Sequence, residues 1–310
     1  MYSFVKINNL YSRIVGIIII SSILGFSTKY SGEFQELIVG GRICGMGGTG
    51  IAQGNDLGSL TLNPALSSLI NKSIYLMHSE NFSGIVKNDF GGLIIPKENS
   101  AYGICFQMVS VNNIKLTSLP DTMQQPNDGN RPFPYDTVST RDMVFYLNAA
   151  RLKGILAYGI NLKVYYRNLA VMYGWGGGAD IGMQLDLKNL NVGISVRDFV
   201  LAPIYWENKT KEYISPKVSF GVASNIPIAK LNLMFTIESD VVQSISLNEF
   251  LLYNGVEMVY RNKISGRLGR NGSRYTAGIG FRYKKLFFDY GLITHQDLGI
   301  SNKFSAGIEF

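Results

Sequence analysis

The chain has 310 residues, with 29 Lys+Arg against 22 Asp+Glu, a formal net charge of +7, 34 Gly, 18 Tyr and 17 Phe. The cations are scattered over turns and alternate strand positions, with no basic run beyond Lys284-Lys285, which gives a nucleic-acid surface little support. Two His and two Cys leave little for metal or redox chemistry, whereas low charge, glycine and aromatics suit a lipid-facing β-protein and, almost as well, a secreted β-sandwich.

Residues 1–27 read as an export signal. Lys6 and Arg13 make a positive start, Ile14 to Phe26 is an apolar run, and Gly25-Phe26-Ser27 offers small residues for cleavage. A retained helical anchor is the alternative, but the run is shorter than the roughly 20 residues needed to span a bilayer. No later stretch comes as close without polar interruption, so a membrane-resident mature chain crosses as strands.

Residues 28–72 differ from all that follows. They hold a glycine-dense run, Gly40 to Gly50, then Asn55-Asp56 and Leu62-Asn63-Pro64-Ala65. Gly45-x-Gly47-x-x-Gly50 meets the dinucleotide fingerprint literally, but turn residues Gly54, Asn55 and Asp56 follow at once and no alternating βα pattern exists. The expected arrangement is a plug: a glycine-rich strand pair, then a short helix over Pro64 to Ile70, with Asn63 capping and Pro64 as first helical residue.

From residue 73 to 310, about fourteen strand-like segments of roughly 9–13 residues follow one another, the length that crosses a bilayer at a tilt. They are Ser73–Phe82, Asp89–Pro96, Ala101–Val111, Thr140–Arg151, Ile155–Arg167, Val171–Leu187 and Leu190–Phe199. Beyond these come Lys217–Asn225, Leu231–Val241, Leu247–Arg261, Ile264–Gly269, Tyr275–Tyr283, Leu286–His295 and Lys303–Phe310. From the second strand on, every other connection is tight and most of the rest are longer, as in barrels with short turns at one end and loops at the other. Asn112 to Ser139, with Pro120, Pro126, Pro132 and Pro134, reads as an irregular loop over the mouth, and Val200 to Pro216 as a second long loop.

Faces alternate with period two. Leu156, Tyr158, Ile160, Leu162, Val164 and Tyr166 oppose Ala157, Gly159, Asn161, Lys163 and Tyr165; Leu231, Leu233, Phe235 and Ile237 oppose Asn232, Met234, Thr236, Glu238 and Asp240. Charges such as Lys163, Asp186, Arg197, Glu238 and Arg282 are costly against lipid, which assigns them to the inner face. Phe304, Ala306, Ile308 and Phe310 share the outer face of the final strand, and Phe310 resembles the terminal aromatic read by the barrel-assembly machinery.

Cys44 and Cys105 have no motif spacing and are expected unpaired. His78 and His295 have no Cys, Asp or Glu at metal-ligand spacing, and no G-x-S-x-G elbow exists, so nothing favours an enzyme, a metal or a cofactor.

Gly45-Met46-Gly47-Gly48, Asn55-Asp56 and Asn63-Pro64-Ala65 together resemble the N-terminal signature of the PorV/PorQ family within the FadL-like outer-membrane barrels. Leu62 departs from it where an aromatic often stands, and the acidic turn has one Asp rather than two. The resemblance implies an all-β transmembrane antiparallel barrel with a small N-terminal plug in the bacterial outer membrane. Gly45, Met46, Gly47, Gly48, Asn63, Pro64 and Ala65 become plug or ligand positions. Its partners are outer-membrane lipid, the assembly machinery, and either secreted client proteins or a hydrophobic ligand. Two functions follow: a component of protein secretion or surface attachment, or FadL-like passage of hydrophobic small molecules. A secreted soluble β-protein is the third reading.

Overall fold

The computed structural model describes residues 32–200, 202–244 and 249–310; the expected export signal lies outside them. Segments rich in Val, Ile, Tyr and Phe on alternate positions form the strands, because β-branched and aromatic side chains fit a pleated, half-buried surface. In chain order they are β1 (Ser73–Asn81), β2 (Val86–Lys97), β3 (Ser100–Ser118), β4 (Phe133–Lys153), β5 (Leu156–Asn168), β6 (Tyr173–Asp186) and β7 (Leu190–Arg197). A short hairpin, β8 (Ala202–Trp206) and β9 (Lys211–Ile214), precedes β10 (Lys217–Ile228), β11 (Leu233–Ser244), β12 (Glu249–Tyr260) and β13 (Ile264–Asn271). The last are β14 (Arg274–Tyr283), β15 (Leu286–His295) and β16 (Gly299–Glu309).

All strands but β8 and β9 build one closed antiparallel wall of fourteen. Each pairs with its chain neighbour, β7 pairs with β10 across the short hairpin, and β1 closes on β16 with Ser73 opposite Glu309. Closure leaves no unpaired sheet edge around the circumference, which is what a strand structure needs in lipid.

The outer face is apolar from strand to strand. Leu76, Ile104, Leu147, Leu162, Ile237, Leu268, Ile279, Phe288 and Phe304 all project outward and are exposed. Their alternates, among them Tyr75, Cys105, Asn148, Lys163, Thr236, Glu238, Arg267 and Lys303, are buried in the lumen. No helix among the described residues is long and apolar enough to cross a membrane.

Tight turns gather at one end, including Glu98-Asn99, Gly154-Ile155 and Lys284-Lys285. Glu98, Lys188, Asn262 and Lys284 sit there at φ +52°, +69°, +53° and +54°, the left-handed backbone that tight hairpins require. At the opposite loop end, β1 and β2 are joined by four residues and β13 and β14 by two, so not every loop there is long.

The structure departs from the sequence reading in three places. The stretch expected to be an irregular loop is largely ladder: β3 and β4 stay paired up to Ser118 and Phe133, with register shifts after Val111 and Leu116. Pro134 is tolerated opposite Thr117 because this outer ribbon has free edges where a missing N–H costs nothing. The second long loop contains β8–β9, whose β8 pairs with the top of β6, Gly174 opposite Trp206. The expected glycine-rich strand pair is absent among the described residues: Gly41–Gly45 is a short helix, α1, followed by turns and 3-10 segments at Leu57–Thr61 and Pro64–Leu69. Gly40, Gly47 and Gly48 stand at φ +106°, +74° and +85°, and such left-handed positions interrupt any extended run.

Candidate functional site: the plugged lumen

Residues 32–70 occupy the lumen, and the wall receives them through glycines. Four cross-strand pairs of inward glycines face the plug: Gly159 opposite Gly182, Gly193 opposite Gly221, Gly255 opposite Gly269, and Gly278 opposite Gly291. Gly278 and Gly291 lie against α1, Gly255 and Gly269 against Met46-Gly47, Gly193 and Gly221 against Ile51-Ala52, and Gly159 and Gly182 against Asn63-Pro64. Added Cβ atoms at Gly159, Gly193, Gly255, Gly269 and Gly291 meet plug backbone in overlap and one at Gly182 meets the Asn63 amide, while those at Gly221 and Gly278 first meet the wall's Asp240 carboxylate and Tyr290 carbonyl, with plug atoms at 2.8 Å and 3.0 Å. Plug and wall therefore meet backbone to backbone.

The residues singled out by sequence hold these contacts. The Asn63 side chain accepts from the Ala65 N–H at 3.1 Å, the cap expected of it, and donates to the carbonyls of Ile51 at 2.7 Å and Met183 at 3.1 Å. The Pro64 carbonyl accepts from Asn148 at 3.1 Å, that of Gly45 from Thr276 at 3.1 Å, and that of Gly47 from Asn271 at 3.0 Å. Met46 and Ala65 are fully buried. Of the seven residues, Gly48 lines the loop-end cavity described below.

Charged clamps carry the rest. Arg42 on α1 meets Glu257 at 2.8 Å, and Arg267 bridges Glu257 and Asp289 at 2.6 Å each, all inside the lumen. On β11, the Asp240 carboxylate accepts from the N–H groups of Gly50 (2.8 Å) and Ile51 (3.1 Å), and Glu238 accepts from those of Ala52 (3.0 Å) and Gln53 (3.1 Å). Lys163 lies between Asp180 (2.5 Å) and Asp198 (2.7 Å), and also donates to Gln35 at 3.0 Å. Sequence reading assigned Lys163 and Glu238 to the inner face without partners and passed over Arg42, Glu257, Arg267 and Asp289. The available signal was charge at inward positions of consecutive strands; partners across the lumen leave no trace in local spacing.

Two ionisable plug residues show the lumen's electrostatics. Burial pushes the Asp56 carboxyl up to about 6, only partly offset by Arg42, Arg267 and the Gly58 backbone N–H. Burial likewise acts to raise the Glu36 carboxyl, but Arg197 and Lys217 outweigh it and hold the group below its ordinary value. Cys44 and Cys105 are buried and unpaired. Among the described residues no group of His, Cys, Asp and Glu is arranged to hold a metal.

Two cavities flank the plug. The one toward the loop end, about 600 Å³, has an apolar part lined by Leu37, Val39, Ile51, Leu62, Val242 and Tyr253, and a charged part with Glu36, Arg197, Lys217 and Lys303. The one toward the turn end, about 500 Å³, is lined by Arg42, Gln53, Asp56, Met234, Glu257 and Phe287. Ile51 and Asp240 border the first and Gln53 the second, so the strap Gly50–Gln53, hung on two carboxylates, runs between them.

No protein-family model and no curated protein sequence matches the chain. Solved structures do. The toluene transporter TodX of P. putida superposes with a TM-score of 0.61 at 10% identity, over 88% of this chain and 98% of that one. The monoaromatic hydrocarbon channel CymD gives 0.57 at 12% identity, over 88% and 97%. At such identities the shared property is the fold: a fourteen-stranded barrel of the kind those proteins have.

Proposed function

We propose that the chain is a non-enzymatic outer-membrane barrel that passes small hydrophobic molecules through its lumen. The observation that carries this reading is the loop-end cavity with its apolar lining, with the strap Gly50–Gln53 between it and the turn-end cavity. The exposed apolar outer face supports residence in lipid, and the names of the structurally similar TodX and CymD, a toluene transporter and a monoaromatic hydrocarbon channel, support hydrophobic cargo. In this reading cargo enters from the loop end, rests against Leu37, Val39, Ile51 and Val242, and leaves toward the turns when Gly50–Gln53 swings off Asp240 and Glu238. The strap is held by four N–H bonds to Asp240 and Glu238 and by the Asn63 bond to the Ile51 carbonyl, none of them a bond between wall strands, so its displacement leaves the wall intact.

The test is retention of labelled toluene and a labelled medium-chain fatty acid by purified protein in detergent, then their transfer into vesicles carrying the protein. Saturable retention supports the reading; no retention across a broad hydrophobic panel removes it. A PorV/PorQ-type role in secretion or surface attachment is the second reading. It draws on the motif resemblance and on the outer parts of β3 and β4, a paired ribbon beyond the ends of β2 and β5 with Phe133 and Tyr135 exposed. Deleting the ribbon tests it: surface proteins displayed as before count against a docking role.

A further inference from the structure

The turns at one end of the barrel form a ring of positive charge. Lys97, Lys153, Lys188, Lys230, Lys263 and Lys284 stand one on each of the six tight connections or at the strand end beside it, and all are exposed. Arg151, Arg261 and Lys285 double the charge at three of them, and Lys72 adds one beside the β1–β16 seam. Against these, the exposed carboxylates among the described residues of this end are Glu98 and Asp186; Glu309 is already tied to Arg282 at 2.5 Å. The loop end shows no such bias. There Asp121, Asp128 and Asp136 mix with Lys115 and Arg131, and Glu207 and Glu212 with Lys209 and Lys211.

The ring sits where the apolar outer face ends. Tyr102, Tyr158, Tyr260, Tyr283 and Phe310 are among the outward residues next to the turns, and all are exposed. Cations lie over their rings: Lys72 5.4 Å from the centroid of Phe310, Arg261 5.1 Å from Tyr260 and Lys284 5.5 Å from Tyr283. Interfacial aromatics mark the level of lipid headgroups, and a cation held against such a ring has its apolar stem beside the acyl chains and its charge at that level.

We infer that the turn-end ring is a binding surface for anionic phospholipid headgroups in the leaflet at that end of the barrel. The charge is distributed around the whole circumference, as an annulus of lipid is, whereas a protein partner would need it gathered on one side. Each Lys or Arg near an anionic bilayer surface contributes favourably, and its effect decays within a Debye length. The inference rests on membrane residence but not on what the lumen carries.

The test uses the full mature chain reconstituted in vesicles of phosphatidylcholine containing about 30 mol % phosphatidylglycerol. Spin-labelled phosphatidylglycerol and phosphatidylcholine report which lipid occupies the first shell. Wild type is expected to prefer phosphatidylglycerol about threefold at low salt and to lose most of that preference in about 0.5 M salt. A variant carrying K230Q, R261Q, K263Q, K284Q and K285Q removes five of the ten cations and should lose about half of that preference, while K209Q with K211Q at the loop end should match wild type. Because every changed side chain is exposed, folding is checked simply by faster migration of the unboiled protein in gels. Wild type that floats with vesicles but shows no preference, or a five-site variant that keeps it whole, overturns the inference and leaves the barrel reading standing. Protein that fails to float at all takes both down.

Discussion

Glu257 stands between two guanidiniums, Arg42 on the plug and Arg267 on the wall, and all three are nearly sealed from solvent. Replacing it with Gln leaves Arg42 without its ion-pair partner and Arg267 with Asp289 alone, and stranding a buried cation costs about 3–5 kcal/mol. Urea titration of the vesicle-inserted protein should show a loss of that order for Glu257→Gln, with less than about 1 kcal/mol for Arg282→Gln, whose pair with Glu309 is partly exposed. Asp56 gives a pH dependence of known sign. Its folded-state pKa of about 6 exceeds the unfolded value, so its contribution to stability is complete below the unfolded value and is lost as pH rises through about 6. At pH 8 the buried carboxylate costs the fold about 3 kcal/mol, and Asp56→Asn should recover much of it. The difference between wild type and Asp56→Asn should shrink as the titration is repeated from pH 8 down to pH 4; a difference independent of pH would show that the carboxyl does not titrate in this window.

At the scale of elements, the inward glycines make a paired prediction. Gly193→Ala places a methyl against the Ile51 carbonyl, while Gly266, which faces outward with nothing within 4 Å of an added Cβ, accepts Ala freely. Gly193→Ala should leave the wall folded, judged by unboiled migration, but raise protease cleavage or solute leakage at the strap; Gly266→Ala should do neither. The wall itself was legible in the sequence. Alternation in segments such as Leu156 to Tyr166 places lipid-facing and lumen-facing residues unambiguously, because a one-residue slip exposes Lys163 to the bilayer. Expected and observed strands accordingly coincide at Leu286–His295 and differ by a few residues over most of the wall. The ribbon beyond Val111 escaped notice because prolines read as breakers there, yet two unpaired edges remove the penalty that makes Pro a breaker. The plug was legible in composition and not in shape: glycine density signals close approach, while the helix α1 and the turns after it are set by the cavity around them. The salt clamps were invisible for a simpler reason, since Arg42 and Glu257 are 215 positions apart.

For the molecule as a whole, the arrangement separates a rigid wall from a weakly fastened partition. Replacing both carboxyl groups in Glu238→Gln with Asp240→Asn weakens the hydrogen bonds to the N–H groups of Gly50–Gln53 and should increase transfer of labelled toluene into protein-bearing vesicles several-fold, with migration of the barrel unchanged. Equal transfer in variant and wild type would place the rate-limiting barrier elsewhere. The facing glycines carry a different consequence, for assembly. Where the eight inward glycines face the plug, the wall has no side chains of its own to fill the bore, so the N-terminal segment acts as a mandrel around which the sheet is rolled. It precedes every wall strand in the chain and is enclosed when β16 meets β1. A chain lacking residues 32–70 should therefore refold into vesicles far less efficiently than the intact one, and the missing segment added afterwards as a free peptide should not restore it, because the seam has already shut.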